Sequence, residues 1–135
     1  MDELLARVNA IEGHGMSAAN KAKGSKWESD IENYLNDVGI KARRLPRAGA
    51  KDIGDVAITL KSDKVIVVEA KNVASVTLKE FLRQAEVEAD NYEAKYKNIC
   101  YPVVMVKARQ QSVGEGRVIM TLDTLLNLLK WEGLS

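Results

Sequence analysis

A chain of 135 residues, 46% hydrophobic and 29% charged, has the size and composition of one globular domain with a real core. One cysteine, Cys100, excludes an internal disulfide, and a lone histidine beside it excludes a Cys/His zinc site; a net charge of +1 does not by itself select a partner. No stretch approaches the roughly 18 apolar residues of a membrane span, and the acidic start MDELLARVNAIEG lacks a basic leader, so a reducing intracellular setting is expected, cytoplasmic or nucleoid-associated.

In chain order, Leu4, Leu5, Val8 and Ile11 predict a short helix over 2–12, ended by Gly13-His14-Gly15. His14 reads as an exposed loop residue, and 16–24 as a small, basic linker. The second helix spans 25–38 on the apolar face of Trp27, Ile31, Tyr34, Leu35 and Val38, with Gly39 as its stop. Ser25-x-x-Glu28 matches a capping box, in which Glu28 would do no more than satisfy the helix start. A strand over 40–46 carries interleaved arginines and leads into a basic loop, 47–51. From Gly39 to Lys51 there is no acid, so a local phosphate-binding patch is expected on an otherwise neutral chain.

Residues 52–71, DIGDVAITLKSDKVIVVEAK, read as a hairpin. Val56, Ile58 and Leu60 alternate in a strand pattern, and Val65 to Val68 is the continuous β-branched run of a strand buried on both faces. Glu69 and Lys71 then continue a buried strand on one shared face, as a salt bridge or a functional pair. Whether Asp55 joins them depends on register alone, because a one-residue slip reverses every side chain. An odd connection, such as a three-residue loop Ser62-Asp63-Lys64 with Asp55 opposite Lys71, or a β-bulge between Asp55 and Leu60, puts Asp55, Ala57 and Thr59 on the face of Val65, Val67, Glu69 and Lys71. The other face is then wholly apolar.

Thr77 and Glu80 form a second capping-box pattern ahead of a helix over 78–97. Phe81, Leu82, Ala85, Ala89, Tyr92 and Tyr96 make its apolar side, Gln84 falls near the edge, and Glu86, Glu88, Asp90 and Glu93 make an acidic outer face. Strands over 99–108, with Pro102 near its start, and 117–120 follow. The final helix, 123–131, is very apolar and either closes the core or meets another subunit. The order helix, three strands, helix, strand describes an α/β domain with a mixed sheet between helices.

Lys23-Gly24-Ser25-x-Trp27-Glu28, then Gly54-Asp55-Val56, then Glu69-Ala70-Lys71 resembles the PD-(D/E)xK nuclease superfamily, and within it the archaeal-type Holliday junction resolvases, over residues 21–97. The resemblance implies a restriction-endonuclease-like αβββαβ core at 21–108, with 1–20 and 109–135 as flanking segments of the same domain. It implies that Glu28, Asp55 and Glu69 hold a divalent metal, with Lys71 assisting the attacking water, and that two copies form a homodimer to cut a four-way junction symmetrically. Gly54 stands where the superfamily name has Pro, and Ala48 and Ala50 stand where resolvases often have serine. Gln84 and Tyr92 are similar, at loose spacing, to the Gln/Tyr helix motif of RecB-type nucleases.

Phosphodiester hydrolysis makes the same request of these residues. Hard oxygen ligands select Mg²⁺, with Mn²⁺ able to substitute, and Asp55, Glu69 and the Ala70 carbonyl supply them. Lys71 can orient water or stabilise the transition state. Lys21, Lys23, Lys26, Arg43, Arg44, Arg47 and Lys51, with Gln84, are candidates for contacting DNA. The expected activity is a Mg²⁺-dependent, structure-selective DNA endonuclease on branched DNA; a RecB-type exonuclease or general repair nuclease, and a non-catalytic DNA-binding module, are the alternatives.

Overall fold

A computed structural model describes residues 18–47, 51–75 and 77–133. The predicted helix over 2–12, His14, and the positions of Ala48, Gly49 and Ala50 lie outside the described residues. Within them the order is α1 (Ala18–Asp37), β1 (Lys41–Arg44), β2 (Val56–Thr59), β3 (Val65–Lys71), α2 (Leu78–Tyr96), β4 (Cys100–Val106), β5 (Arg117–Ile119) and α3 (Leu122–Trp131), with a 3₁₀ turn Val113–Glu115 before β5. The strands lie side by side in chain order. Neighbours are antiparallel except β3 and β4, which are parallel. A parallel pair needs a crossover, and α2 supplies it. The expected mixed sheet between helices is therefore present.

The two faces of the sheet are both apolar. Trp27 and Ile31 of α1 pack on Ala42, Val56, Ile58 and Val68. On the other face Ala89 and Tyr92 of α2 pack on Ala57, Val65 and Val67, with Leu45 and Ile53. Phe81 and Ala85 of α2 continue that layer over Val104 and Val106. Val56, Val67, Val68, Val103 and Val104 are among the most deeply buried side chains. At roughly 1.5–3 kcal/mol for each fully buried Val, these central strands are a firm base for whatever sits at their ends.

The β2–β3 register pairs Val56 with Val68, Ala57 with Val67 and Thr59 with Val65. Leu60 N–H donates to the Lys64 carbonyl at 2.9 Å, and Asp63 N–H to the Leu60 carbonyl at 3.0 Å. Asp63 has φ +68°. This is a three-residue hairpin, a turn followed by a left-handed residue. The odd connection expected from parity is present, but its loop is Lys61-Ser62-Asp63, one residue earlier than the example given. The ladder itself ends at Val56 and Val68, and Asp55 N–H donates to the same Val68 carbonyl, one residue off that register, so Asp55 is not opposite Lys71.

Several local expectations are corrected. Residues 18–24, expected as linker, belong to α1, so Ser25 and Glu28 lie inside the helix and form no capping box. Their side chains are available for other work. Tyr34 and Val38 are exposed and not part of the packed face. Thr77 precedes α2 but makes no side-chain cap bond. Instead, Phe81 N–H bonds its carbonyl. At α3 the cap is real: Thr124 N–H donates to Thr121 Oγ1 at 3.1 Å. Of the α3 residues only Thr124 is buried. Leu122, Leu125, Leu126, Leu129 and Trp131 are exposed, so this helix does not close the core.

Two glycines predict opposite effects of alanine. Gly54 has φ +102°, and a Cβ there would lie 2.6 Å from Val67 Cγ1. Gly54→Ala is expected to cost roughly 1–3 kcal/mol in urea unfolding. Gly24 lies within α1, where a Cβ meets nothing within 4 Å. Gly24→Ala is expected to add roughly 0.5–1 kcal/mol of stability. Equal effects of the two substitutions would contradict this backbone geometry.

Candidate active site

The buried β2–β3 pair ends in charge. Asp55 sits in a bend just before β2, where its N–H donates to the Val68 carbonyl at 2.9 Å. Its Oδ2 accepts from Ala70 N–H at 2.9 Å, which clips the carboxylate across the end of β3. Glu69 and Lys71 share the α2-facing side of β3, and their Oε1 and Nζ atoms are 3.4 Å apart. Lys71 Nζ also lies 4.9 Å from the centre of the Phe81 ring. Asp55, Glu69 and Lys71 are all buried, at 8%, 4% and 8% exposure, so these charges are not a strand running out into water.

Glu28 reaches the same end of the sheet from α1. It is buried, and both of its oxygens are engaged. Arg44 Nη2 is 3.3 Å from Oε1, and Arg47 Nη2 is 2.6 Å from Oε2. Arg47 Nη2 lies 3.4 Å from Asp55 Oδ1, so one guanidinium ties Glu28 to Asp55. Arg44 also donates to Ser25 Oγ and Ser29 Oγ, each at 3.0 Å. The helical stripe of Ser25, Glu28, Ser29 and Glu32 thus docks onto β1, and Glu32 Oε2 accepts from Arg44 N–H at 2.7 Å. Arg43 points to the other face and donates to the Tyr92 hydroxyl at 2.9 Å.

The arginines expected at the DNA therefore have partners inside the protein, although a guanidinium with five N–H donors keeps capacity for an incoming phosphate. Lys21, Lys23, Lys26 and Lys51 are exposed, as are Arg43, Arg44 and Arg47. Lys26 pairs with Asp30 at 2.9 Å.

Three residues of the site were read differently, or not at all, in the sequence. Glu88, assigned to an acidic outer face, is fully buried on the inner face of α2 with Phe81, Gln84, Ala85, Ala89 and Tyr92. Gln84 is buried too, and its Nε2 donates to Glu88 Oε1 at 3.2 Å. Asp52, ahead of β2, accepts from Gly54 N–H at 3.0 Å. One carboxylate oxygen from each of Asp52, Glu69 and Glu88 lies within 4.8 Å of the others. The periodicity of α2 carried the signal for Glu88: it stands four residues after Gln84 and four before Tyr92, in the middle of the buried stripe. Asp52 lies in a loop and had no such signal.

Crowded carboxylates perturb one another. Burial, then the charges of Glu69 and Glu28, raise the Asp55 carboxyl well above its ordinary value, against the Ala70 N–H and Arg47. Burial, then the close carboxylates of Glu69 and Asp52, raise the Glu88 carboxyl as well. For Arg47 burial opposes the charge, but Asp55 and Glu28 outweigh it and the guanidinium is held more firmly protonated. Glu69 Oε2 and Glu88 Oε2 are buried without a hydrogen-bond partner. Hard, excess, unsatisfied carboxylate oxygens beside a bend fit a divalent cation such as Mg²⁺ or Mn²⁺.

The sign of the pH effect follows. A carboxyl raised in the folded state keeps its proton at pH values where the unfolded chain has lost it, so stability falls as pH rises above the ordinary value of about 4. In the absence of divalent cations, Asp55→Asn should melt progressively higher than the parent chain as pH rises through that window. Melting curves in chelator that stay parallel at every pH would contradict the shift.

No curated protein gives a significant match to this sequence. Among solved structures, that of Hjc from Archaeoglobus fulgidus, a Holliday junction resolvase from an archaeal hyperthermophile, matches at 18% identity over 73% of this chain and 72% of that one, with a TM-score of 0.47. The family model for the archaeal Holliday junction resolvases (Hjc) matches residues 19–121, which take in α1 from its second residue, all five strands of the sheet and α2. With its carboxylates and Lys71 assembled at the end of that sheet, the chain belongs to the archaeal Holliday junction resolvase family.

Proposed function

We propose that this chain is a divalent-cation-dependent endonuclease that hydrolyses phosphodiester bonds in branched DNA, with the four-way junction as its substrate. The observation that carries this reading is the meeting of Asp55, Glu69 and Lys71 at one buried strand end, beside exposed basic residues of α1 and β1. Membership of a family of junction resolvases supports it.

Asp55 and Glu69, with the Ala70 carbonyl, would hold Mg²⁺ or Mn²⁺. Such a cation supplies an acidified water and neutralises charge on the scissile phosphate. The rest is the work of the chain itself. Ala70 N–H fixes the Asp55 carboxylate. Glu69 and the Phe81 ring hold the Lys71 ammonium, which can orient the attacking water or offset charge at the phosphorus. Glu28 acts here as a positioning residue, because both its oxygens already meet guanidinium groups and Arg47 links it to Asp55. Lys21, Lys23 and Lys51, with the spare donors of Arg43, Arg44 and Arg47, would grip flanking phosphates.

A second copy completes the reading, since symmetric cutting of a junction needs two sites. The exposed apolar residues of α3, uncovered among the described residues, supply a surface for it. No helix among the described residues is long and apolar enough to cross a membrane.

The test is a panel of labelled four-way junction, duplex and single strand incubated with Mg²⁺. Junction should be cut in preference to the other two, and Asp55→Asn or Glu69→Gln should lose at least about 100-fold in rate, the upper end of what weaker perturbations of a metal site cost, while still binding junction. Sedimentation should report a dimer that Leu126→Glu disrupts. Exonucleolytic ladders on plain duplex, or binding with no cleavage at all, would overturn the assignment, and a monomeric parent chain would remove the paired-site element.

A further inference from the structure

Glu88 has no place in the mechanism above, yet it is fully buried and aimed at Glu69 from α2. A buried acid in an apolar stripe is normally removed in favour of Leu or Ala unless something pairs with it. Here each carboxylate of the group has one oxygen held by an N–H or ammonium donor. Gln84 holds Glu88 Oε1 at 3.2 Å, Gly54 N–H holds Asp52 Oδ1 at 3.0 Å, and Lys71 lies 3.4 Å from Glu69 Oε1. The remaining oxygens of the two buried members, Glu69 Oε2 and Glu88 Oε2, have no partner. Donors of this kind fix the orientation of ligating carboxylates and leave a lone pair for an ion.

We propose that Asp52, Glu69 and Glu88 form a divalent-cation seat of their own, distinct from the Asp55 side of Glu69, with Gln84 as the residue that orients Glu88. One oxygen from each lies within 4.8 Å of the other two. Ligands at about 2.1–2.5 Å from a shared Mg²⁺, Mn²⁺ or Ca²⁺ ion fall within such a span. The exposed position of Asp52 gives the ion a way in, while burial of Glu69 and Glu88 gives the seat its rigidity. Glu69 then serves two positions, one toward Asp55 and one toward α2. Two-cation sites that share a carboxylate clamp both sides of a phosphoryl displacement. The task of this ion rests on the nuclease reading; its existence does not.

The experiment is Mn²⁺ binding to the full chain without DNA, followed by the loss of the free-ion electron paramagnetic resonance signal. The parent chain should bind Mn²⁺, and Glu88→Gln and Asp52→Asn should each weaken one class of site by at least about tenfold, the lower bound for disturbing even an outer partner of a metal. Asp55→Asn should retain that class. Asp52 is exposed, so its variant reports on the ion even if Glu88→Gln perturbs packing. Mn²⁺ binding unchanged in both Glu88→Gln and Asp52→Asn, or abolished entirely by Asp55→Asn, would overturn the seat. Junction cleavage measured on the same parent sample separates the two readings: Mn²⁺ held through Glu88 with no cleavage keeps the seat and removes the nuclease, and cleavage with no dependence of Mn²⁺ binding on Glu88 does the reverse.

Discussion

The pairing of β2 with β3 is the constraint on which the site rests. Side chains alternate along a strand, so the register of this hairpin decides which face each side chain of β2 and β3 joins, and Asp55 is set at its end by bonds to the Val68 carbonyl and the Ala70 N–H. The three-residue turn closed by left-handed Asp63 selects the right parity. Gly54 lets the chain bend so closely over Val67 that no side chain fits, and Ala70 N–H donates to the Asp55 carboxylate beyond that bend. The valine layer then makes a slip costly, because it would exchange two apolar faces that already match α1 and α2.

Charge is distributed unevenly around that end of the sheet. On the α1 side, Glu28 is matched by Arg44 and Arg47. On the α2 side, Glu69 and Glu88 are both buried, and Lys71 is the ion-pair partner of Glu69. Removing a carboxylate from water costs several kcal/mol even after relaxation, and close like charges add to it. A fold keeps such a cluster where function draws on it, and a binding site for a cation is the arrangement in which excess buried oxygen becomes an asset. The same reasoning explains why Glu28 differs from Glu69, although both are buried acids in one neighbourhood: its lone pairs are spent on guanidinium groups.

Much of this was legible in the sequence. Alternation in Val56–Leu60, the β-branched run after Asp63, and the abrupt arrival of Glu69 and Lys71 were enough to draw the hairpin and to state the parity it must have. What failed were readings that treated local patterns as isolated. Ser25-x-x-Glu28 looks like a helix start only if the helix begins there, and seven further residues of α1 precede it. Charge alone groups Glu88 with Glu86, Asp90 and Glu93, although its spacing from Phe81, Ala85 and Tyr92 places it inside. The basic run from Lys41 to Lys51 gave its charge correctly, but a sequence cannot show that Arg44 and Arg47 are first claimed by Glu28. Asp52 entered the cluster through the shape of a loop, which no periodicity describes.

The central claim is that the acidic end of β2 and β3 is built to hold a divalent cation. Anomalous diffraction from crystals grown with Mn²⁺ tests it most directly. A manganese peak is expected within coordination distance of the Glu69 carboxylate, with Asp55 or Asp52 and Glu88 as its neighbours. A structure grown at millimolar Mn²⁺ with no peak at Glu69, and with the Glu69–Lys71 pair closed on itself, would show these charges to be a salt-bridge network and contradict the account.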